Sequence, residues 1–181
     1  EDNLIKEIRP IGYADFPEDA EIVDLRRTTL LPGLIDMHAH VYLRSMDFRE
    51  LLDFDAAATI LNSYEFAREY LMAGYTTIRD AGCMYNATVA INDAVKRGEL
   101  QAAKIVSSGQ ILTATETGND TFGELYIEAD GADQVRAAAR KQFKLRNDFI
   151  KFMVTGAFLN EKGRPGLTIA TMDELRAAVE D

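Results

Sequence analysis

The chain has 181 residues, 47% of them hydrophobic and 28% charged, with twelve glycines and four prolines. This is the composition of a globular domain long enough to bury a core, not of a disordered segment. A formal net charge of −10 argues against nucleic acid or an anionic membrane surface as partner.

The single cysteine, Cys83, has no internal disulfide partner, so a reducing compartment, the cytoplasm, is the expected location. No apolar run approaches the ~20 residues of a membrane helix. Because the sequence begins at Glu1 without a methionine, a signal peptide upstream stays open.

In chain order, Asn3–Ile8 (NLIKEI) and Ala20–Leu25 (AEIVDL) alternate apolar and polar residues around a stretch containing Pro10, Gly12 and Pro17. They are predicted to be two strands of a small sheet, separate from the rest of the chain. An apolar strand over Leu34–His38 comes next, then a helix over Ala56–Met72 with Ile60, Tyr64, Ala67 and Leu71 as its apolar stripe and Gly74 as its stop. A strand at Tyr75–Arg79 and a helix at Ala87–Arg97 come after it, and then a third strand at Lys104–Ser108. The connection Gly109–Ala129, rich in Thr, Gly and Asp, is predicted to be a long functional loop. A third helix spans Asp133–Leu145, and Asp148–Gly156 (DFIKFMVTG) is a nearly continuous apolar strand. Thr171 and Glu174 have capping-box spacing at the start of a last helix.

Four strand–helix alternations imply a parallel sheet with right-handed crossovers. The expected fold is α/β: the first half of a TIM (β/α)8 barrel, about four βα units. A full barrel takes ~250 residues, so the chain is expected to be part of a larger one. A complete doubly wound domain is the alternative.

Both histidines of the sequence, His38 and His40, end the first strand. Residues i and i+2 of a strand point the same way, so the two imidazoles, with Asp36 on the same face, could lean onto one ion at the strand end where parallel barrels place their chemistry. A lone His-x-His is equally met among packing or surface residues. On the fourth strand, Lys151 lies between Ile150 and Phe152 in a segment expected to be buried. It is either a snorkelling or paired lysine, or a desolvated amine able to react with carbon dioxide and become an anionic ligand. Asp80 closes the second strand, as a support for a metal-ligating histidine or as a cap on loop amides.

The motifs LLPGLIDMHAH, GYTTIRDAG and DFIKFMVTGA, in this order, resemble the metal-dependent amidohydrolase superfamily, in particular its imidazolonepropionase-like branch with the Xaa-Pro dipeptidases. The resemblance runs from Ile5 to Asp181. It implies that His38 and His40 are first-strand metal ligands and that Lys151 is the carboxylated lysine bridging two divalent cations, zinc by expectation. It also implies that residues 1–30 are a remnant of an N-terminal β-sandwich (residues 4–8 and 21–25 matching its strands) and that residues 31–181 are a partial barrel. The implied reaction is metal-assisted hydrolysis of amide C–N bonds in dipeptides or N-acyl amino acids, by a homo-oligomer.

The family's histidines of the fifth and sixth strands and its aspartate of the eighth have no counterpart in this chain. No catalytic residue is therefore expected within it, and the fragment is expected to be inactive alone. Where many relatives carry a histidine after the third strand, TATETGNDTFG offers Glu116 and Asp120. Two other readings compete: a non-catalytic α/β interaction module pairing through an exposed sheet edge, and a protein binding one metal with His38 and His40 alone. Cys83, the basic face KQFKLR and the Tyr64/Phe66/Tyr70 group are expected to be structural.

Overall fold

A computed structural model describes residues 4–10, 12, 16–44, 54–157 and 165–180. The chain divides into two compact units, Glu1–Pro32 and Gly33–Asp181.

The described residues of the first unit form no strand, contrary to the expectation for the NLIKEI and AEIVDL segments. Two short strands need further strands or a helix face to bury their apolar side. Here Leu4, Ile5, Ile8, Ile22 and Val23 stand exposed.

The second unit carries the alternating order. Strand β1 (Leu34–Ala39) leads to helix α1 (Ala56–Met72), strand β2 (Tyr75–Asp80), a 3-10 turn at Met84–Asn86 and helix α2 (Ala87–Lys96). Strand β3 (Lys104–Ser107) comes next. The stretch expected to be a loop then forms two short strands, β4 (Ile111–Thr113) and β5 (Tyr126–Glu128), around a 3-10 turn. Three-residue strands set among Thr, Gly and Asp leave too little periodicity to stand out in sequence. Helix α3 (Ala132–Lys144), strand β6 (Phe152–Met153) and helix α4 (Met172–Val179) complete the unit.

Every ladder between named strands is parallel, in the orders β1-β2-β3 and β5-β4-β6. The two sheets are joined through the segment before β6. Ser107 O accepts from Asp148 N at 2.7 Å and from Phe149 N at 3.3 Å, and Lys151 O accepts from Leu112 N at 2.9 Å. The fourth strand expected over Asp148–Gly156 is therefore shorter as a ladder. At its start the Asp148 side chain, not the backbone, takes the Ser107 amide, at 2.8 Å.

Burial follows the pleat. Ala39, Ile78 and Ile105 pack beneath Ala67 of α1 and Ala87 and Ile91 of α2, while Thr77, Arg79 and Val106 between them are only half-buried. The deepest stripe of α1 is Thr59, Ser63 and Ala67, with Ile60, Tyr64 and Leu71 flanking it. Small residues let the helix approach the sheet closely, so the expected large-residue stripe forms its shoulders. Asp55 caps α1 by accepting from Ala58 N at 2.8 Å, a contact of about 1 kcal/mol in such positions. The expected capping box at Thr171 and Glu174 forms at α4. A second core of Leu112, Val135, Ala138, Ala139 and Ala177 lies where α3 and α4 meet β4.

The turn from β3 into β4 depends on Gly109. Its φ is +66°, and an added Cβ would lie 2.2 Å from Gln142 Oε1. Behind it, Ser107 donates to Asn147 Oδ1 at 2.8 Å and Asn147 donates to Gln142 Oε1 at 3.0 Å, a buried polar brace between β3 and the end of α3.

Candidate active site

The C-terminal end of β1 is bulged. The register of β1 on β2 shifts between the Asp36↔Ile78 and Ala39↔Asp80 pairs. A bulge inserts a residue and re-aims the side chains around it. Asp36 consequently turns to α1, where Tyr70 donates its hydroxyl to Oδ2 at 2.9 Å, and Asp36 Oδ1 takes the His38 amide at 3.0 Å. The expectation that Asp36 shares a face with the histidines is corrected by this contact. Strict alternation counts residues, and the bulge adds one.

Ala39 packs into the helix-side core, and His38 and His40 flank it on the other side. Their ring centroids are 5.6 Å apart in an edge-on arrangement. His38 is exposed and His40 half-buried. His40 Nδ1 lies 3.0 Å from the carbonyl oxygen of Gly82, so Nδ1 carries the proton and Nε2 keeps its lone pair.

His38, His40 and Lys151 line one cavity of about 530 Å³, together with Tyr42, Ile111, Leu125, Tyr126 and the 152–157 segment. The limited desolvation of the largely exposed His38 ring lowers its pKa, helped by the positive charges of Lys151 and Arg79; nearby Asp36 opposes the shift. Burial also lowers that of His40, against the Gly82 hydrogen bond, with smaller contributions from His38 and Lys151. Both imidazoles are thereby held toward the neutral form that ligates cations. Lys151 is lowered by burial and by Arg79, whose guanidinium carbon sits 3.7 Å over the Phe149 ring.

Asp80 is fully buried at the end of β2, and its Oδ1 accepts from Val41 N at 2.9 Å. Burial pushes its pKa up to about 8 against the stabilising amides of Val41 and Gly82, and Oδ2 makes no hydrogen bond. Cys83 is buried beside Ser63, and burial drives its thiol well above the ordinary range, which removes it as a nucleophile. Phe66 stacks on Tyr70 with centroids 4.8 Å apart, as helix packing.

The donor set suits a divalent cation in part. Two neutral imidazoles from one strand and an amine of lowered basicity share a cavity, yet among the described residues no three His, Cys, Asp or Glu side chains converge as a metal shell. The described lining residues include no carboxylate. Sequence reasoning missed the Gly82 carbonyl and the two tyrosines of the wall. Tyr42 stands two residues beyond His40, so alternation continued past the strand end would have pointed to it.

Over residues 29–181 the chain matches the Amidohydrolase family. It is 28% identical to ochratoxinase of Aspergillus niger over 183 aligned residues, covering 86% of this chain and 37% of that protein. Among solved structures it is similar to an amidohydrolase, with a TM-score of 0.81, 28% identity and coverage of 92% of this chain and 44% of that one. It is also similar to a prolidase in complex with N-methylphosphonate-L-proline, with a TM-score of 0.81, 26% identity and coverage of 95% and 44%. The chain thus spans less than half the length of each of these relatives.

Proposed function

The chain belongs to the amidohydrolase family, and from that premise we propose that it is the first half of a (β/α)8 barrel whose whole hydrolyses amide C–N bonds in dipeptides or N-acyl amino acids. The single observation that carries this reading is the cavity that His38 and His40, at the C-terminal end of β1, where barrels place their chemistry, share with Lys151, immediately before β6. Similarity to a prolidase supports the substrate class.

His38 and His40 would hold a divalent cation, zinc by the nitrogen-rich donor set, through the neutral imidazole nitrogens. When bound, such a cation supplies Lewis-acid activation of the amide carbonyl and of the attacking water. The chain's own residues then have separate tasks. The Gly82 carbonyl fixes the His40 tautomer. Lys151, with its basicity lowered, is suited to attack carbon dioxide through its neutral amine; a C–N bond forms, one proton goes to solvent, and the resulting carbamate is an anionic oxygen donor. Tyr42, Ile111, Leu125 and Tyr126 give the cavity an apolar wall that excludes water and takes up an apolar part of the substrate.

A proton-shuttling carboxylate is missing from the described lining, so these 181 residues alone are proposed to bind the cation without turning over substrate. The test is to incubate the protein with zinc, bicarbonate and a panel of dipeptides and N-acyl amino acids, alone and as part of a chain extended to the length of its relatives. Turnover by the extended chain only is the expected result. An extended, folded, zinc-loaded chain that cleaves no amide contradicts the function. Zinc-dependent turnover by the 181 residues, lost in His38→Ala, contradicts the division of labour.

A further inference from the structure

The end of β2 grips the end of β1 at three consecutive residues. Ala81 N donates to Ala39 O at 2.8 Å, the His40 ring donates to Gly82 O at 3.0 Å, and Val41 N donates to Asp80 Oδ1 at 2.9 Å. The β1–β2 ladder ends at the Ala39↔Asp80 pair. Beyond it, Val41 and Tyr42 are buried, so the Val41 amide has left the sheet without reaching solvent. A buried amide without an acceptor costs about 1–3 kcal/mol. Asp80 meets that need from a site with no exposure and at a cost of its own, because its second oxygen stays without a hydrogen bond.

We propose that Asp80 is a positioning residue for His40: through the Val41 amide it fixes the backbone on which the imidazole is carried, and so keeps the ring against the Gly82 carbonyl with Nε2 as its free nitrogen. What Asp80 supplies is an acceptor at a fixed point. The same end of β2 is tied on its other side to β3, where Ser108 N donates to Asp80 O at 3.1 Å and Cys83 N to Gly109 O at 2.9 Å. The grip therefore rests on the middle of the sheet and not on the outer strand itself. The role of His40 as a cation ligand belongs to the proposed function, but the orientation of its ring is a property of the protein without metal.

The test is nitrogen NMR of the protein labelled with 15N-histidine. The chain has two histidines, so the spectrum contains two ring systems, and His38 serves as the internal control. In the parent protein His40 is expected to show a single tautomer protonated at Nδ1. Asp80→Ala is expected to lose that single-tautomer signal at His40 while His38 is unchanged, and Asp80→Asn, which retains an acceptor oxygen, is expected to restore it. In parallel, zinc affinity falls about 10–100-fold in Asp80→Ala, as for loss of a group supporting a metal ligand. A His40 signal in folded Asp80→Ala identical to the parent overturns the proposal. So does a folded Asp80→Asn that loses the tautomer. If Asp80→Ala does not fold, Asp80→Asn decides alone. Should the tautomer respond while zinc affinity does not, the positioning role stands and the reading of His40 as a ligand falls.

Discussion

His40 and Gly82, on the ends of adjacent parallel strands, are joined by a 3.0 Å hydrogen bond from the imidazole Nδ1 to the backbone carbonyl oxygen. A backbone acceptor cannot titrate or swing away, so the ring orientation is built into the sheet. Gly82 has no freedom to be anything larger. Its φ is +151°, and an added Cβ would lie 2.6 Å from Ile111 and 3.3 Å from His40 Cε1.

Gly82→Ala should therefore destabilise the protein by about 1–3 kcal/mol through backbone strain and displace the ring. Chemical denaturation and zinc titration of the same variant check both effects. Unchanged stability together with unchanged affinity would mean that the close approach is not rigid.

The two histidines should differ when removed. His38 is exposed and its ring makes no hydrogen bond among those described, whereas His40 is half-buried and bonded to Gly82. His38→Ala is expected to lose zinc with stability within about 0.5 kcal/mol of the parent. His40→Ala should lose zinc and also about 1 kcal/mol of stability, the order of one hydrogen bond. Differential denaturation of the two metal-free variants reads this directly.

Titration should show two opposing contributions to stability. The folded pKa of each histidine is lowered, so their contribution is fully present above the unfolded value near 6.5 and is lost as pH falls through the folded values. Asp80 is raised to about 8 from an ordinary 3.8, so its contribution is fully present below the unfolded value and is lost as pH rises through about 8. Asp80→Asn should remove the second contribution. Relative to the parent, the variant should gain stability steadily from about pH 4 to pH 8 in denaturation curves. A constant difference across that range would show that Asp80 ionises normally.

The most exposed apolar side chains of the described strands lie on β1, with Val154 beyond β6 less so at 40%. Leu34, Ile35 and Met37 are 48%, 58% and 63% exposed, while Phe149 lies under Arg79 and Met153 packs on the core. An apolar outer strand is a template for association. Ile35→Lys with Met37→Lys should shift the protein toward monomer in sedimentation velocity, and an unchanged distribution would exonerate this edge.

Sequence made the main helices and the first three strands of the second unit legible, because each is long enough to show a period and several end in a cap or a glycine. Gly74 and the Thr171–Glu174 box sit where local hydrogen bonding demands them. It also brought forward His38, His40 and Lys151, which share a cavity even though 111 positions separate His40 from Lys151. What stayed hidden is what depends on partners. The bulge that sends Asp36 to Tyr70 arises from the β1–β2 register. Strands β4 and β5 are three residues each and owe their existence to neighbours. The Gly82 carbonyl is a backbone group, and no side-chain pattern announces it.

Whether His38, His40 and Lys151 form one cation site is read by equilibrium dialysis against zinc in bicarbonate buffer, with metal content measured for the parent and for His38→Ala, His40→Ala and Lys151→Ala. Zinc is expected on the parent and lost in both histidine variants. Binding should be weakened in Lys151→Ala and partly restored by added formate or acetate in place of the carbamate. Equal zinc content in all four folded proteins would contradict a shared site.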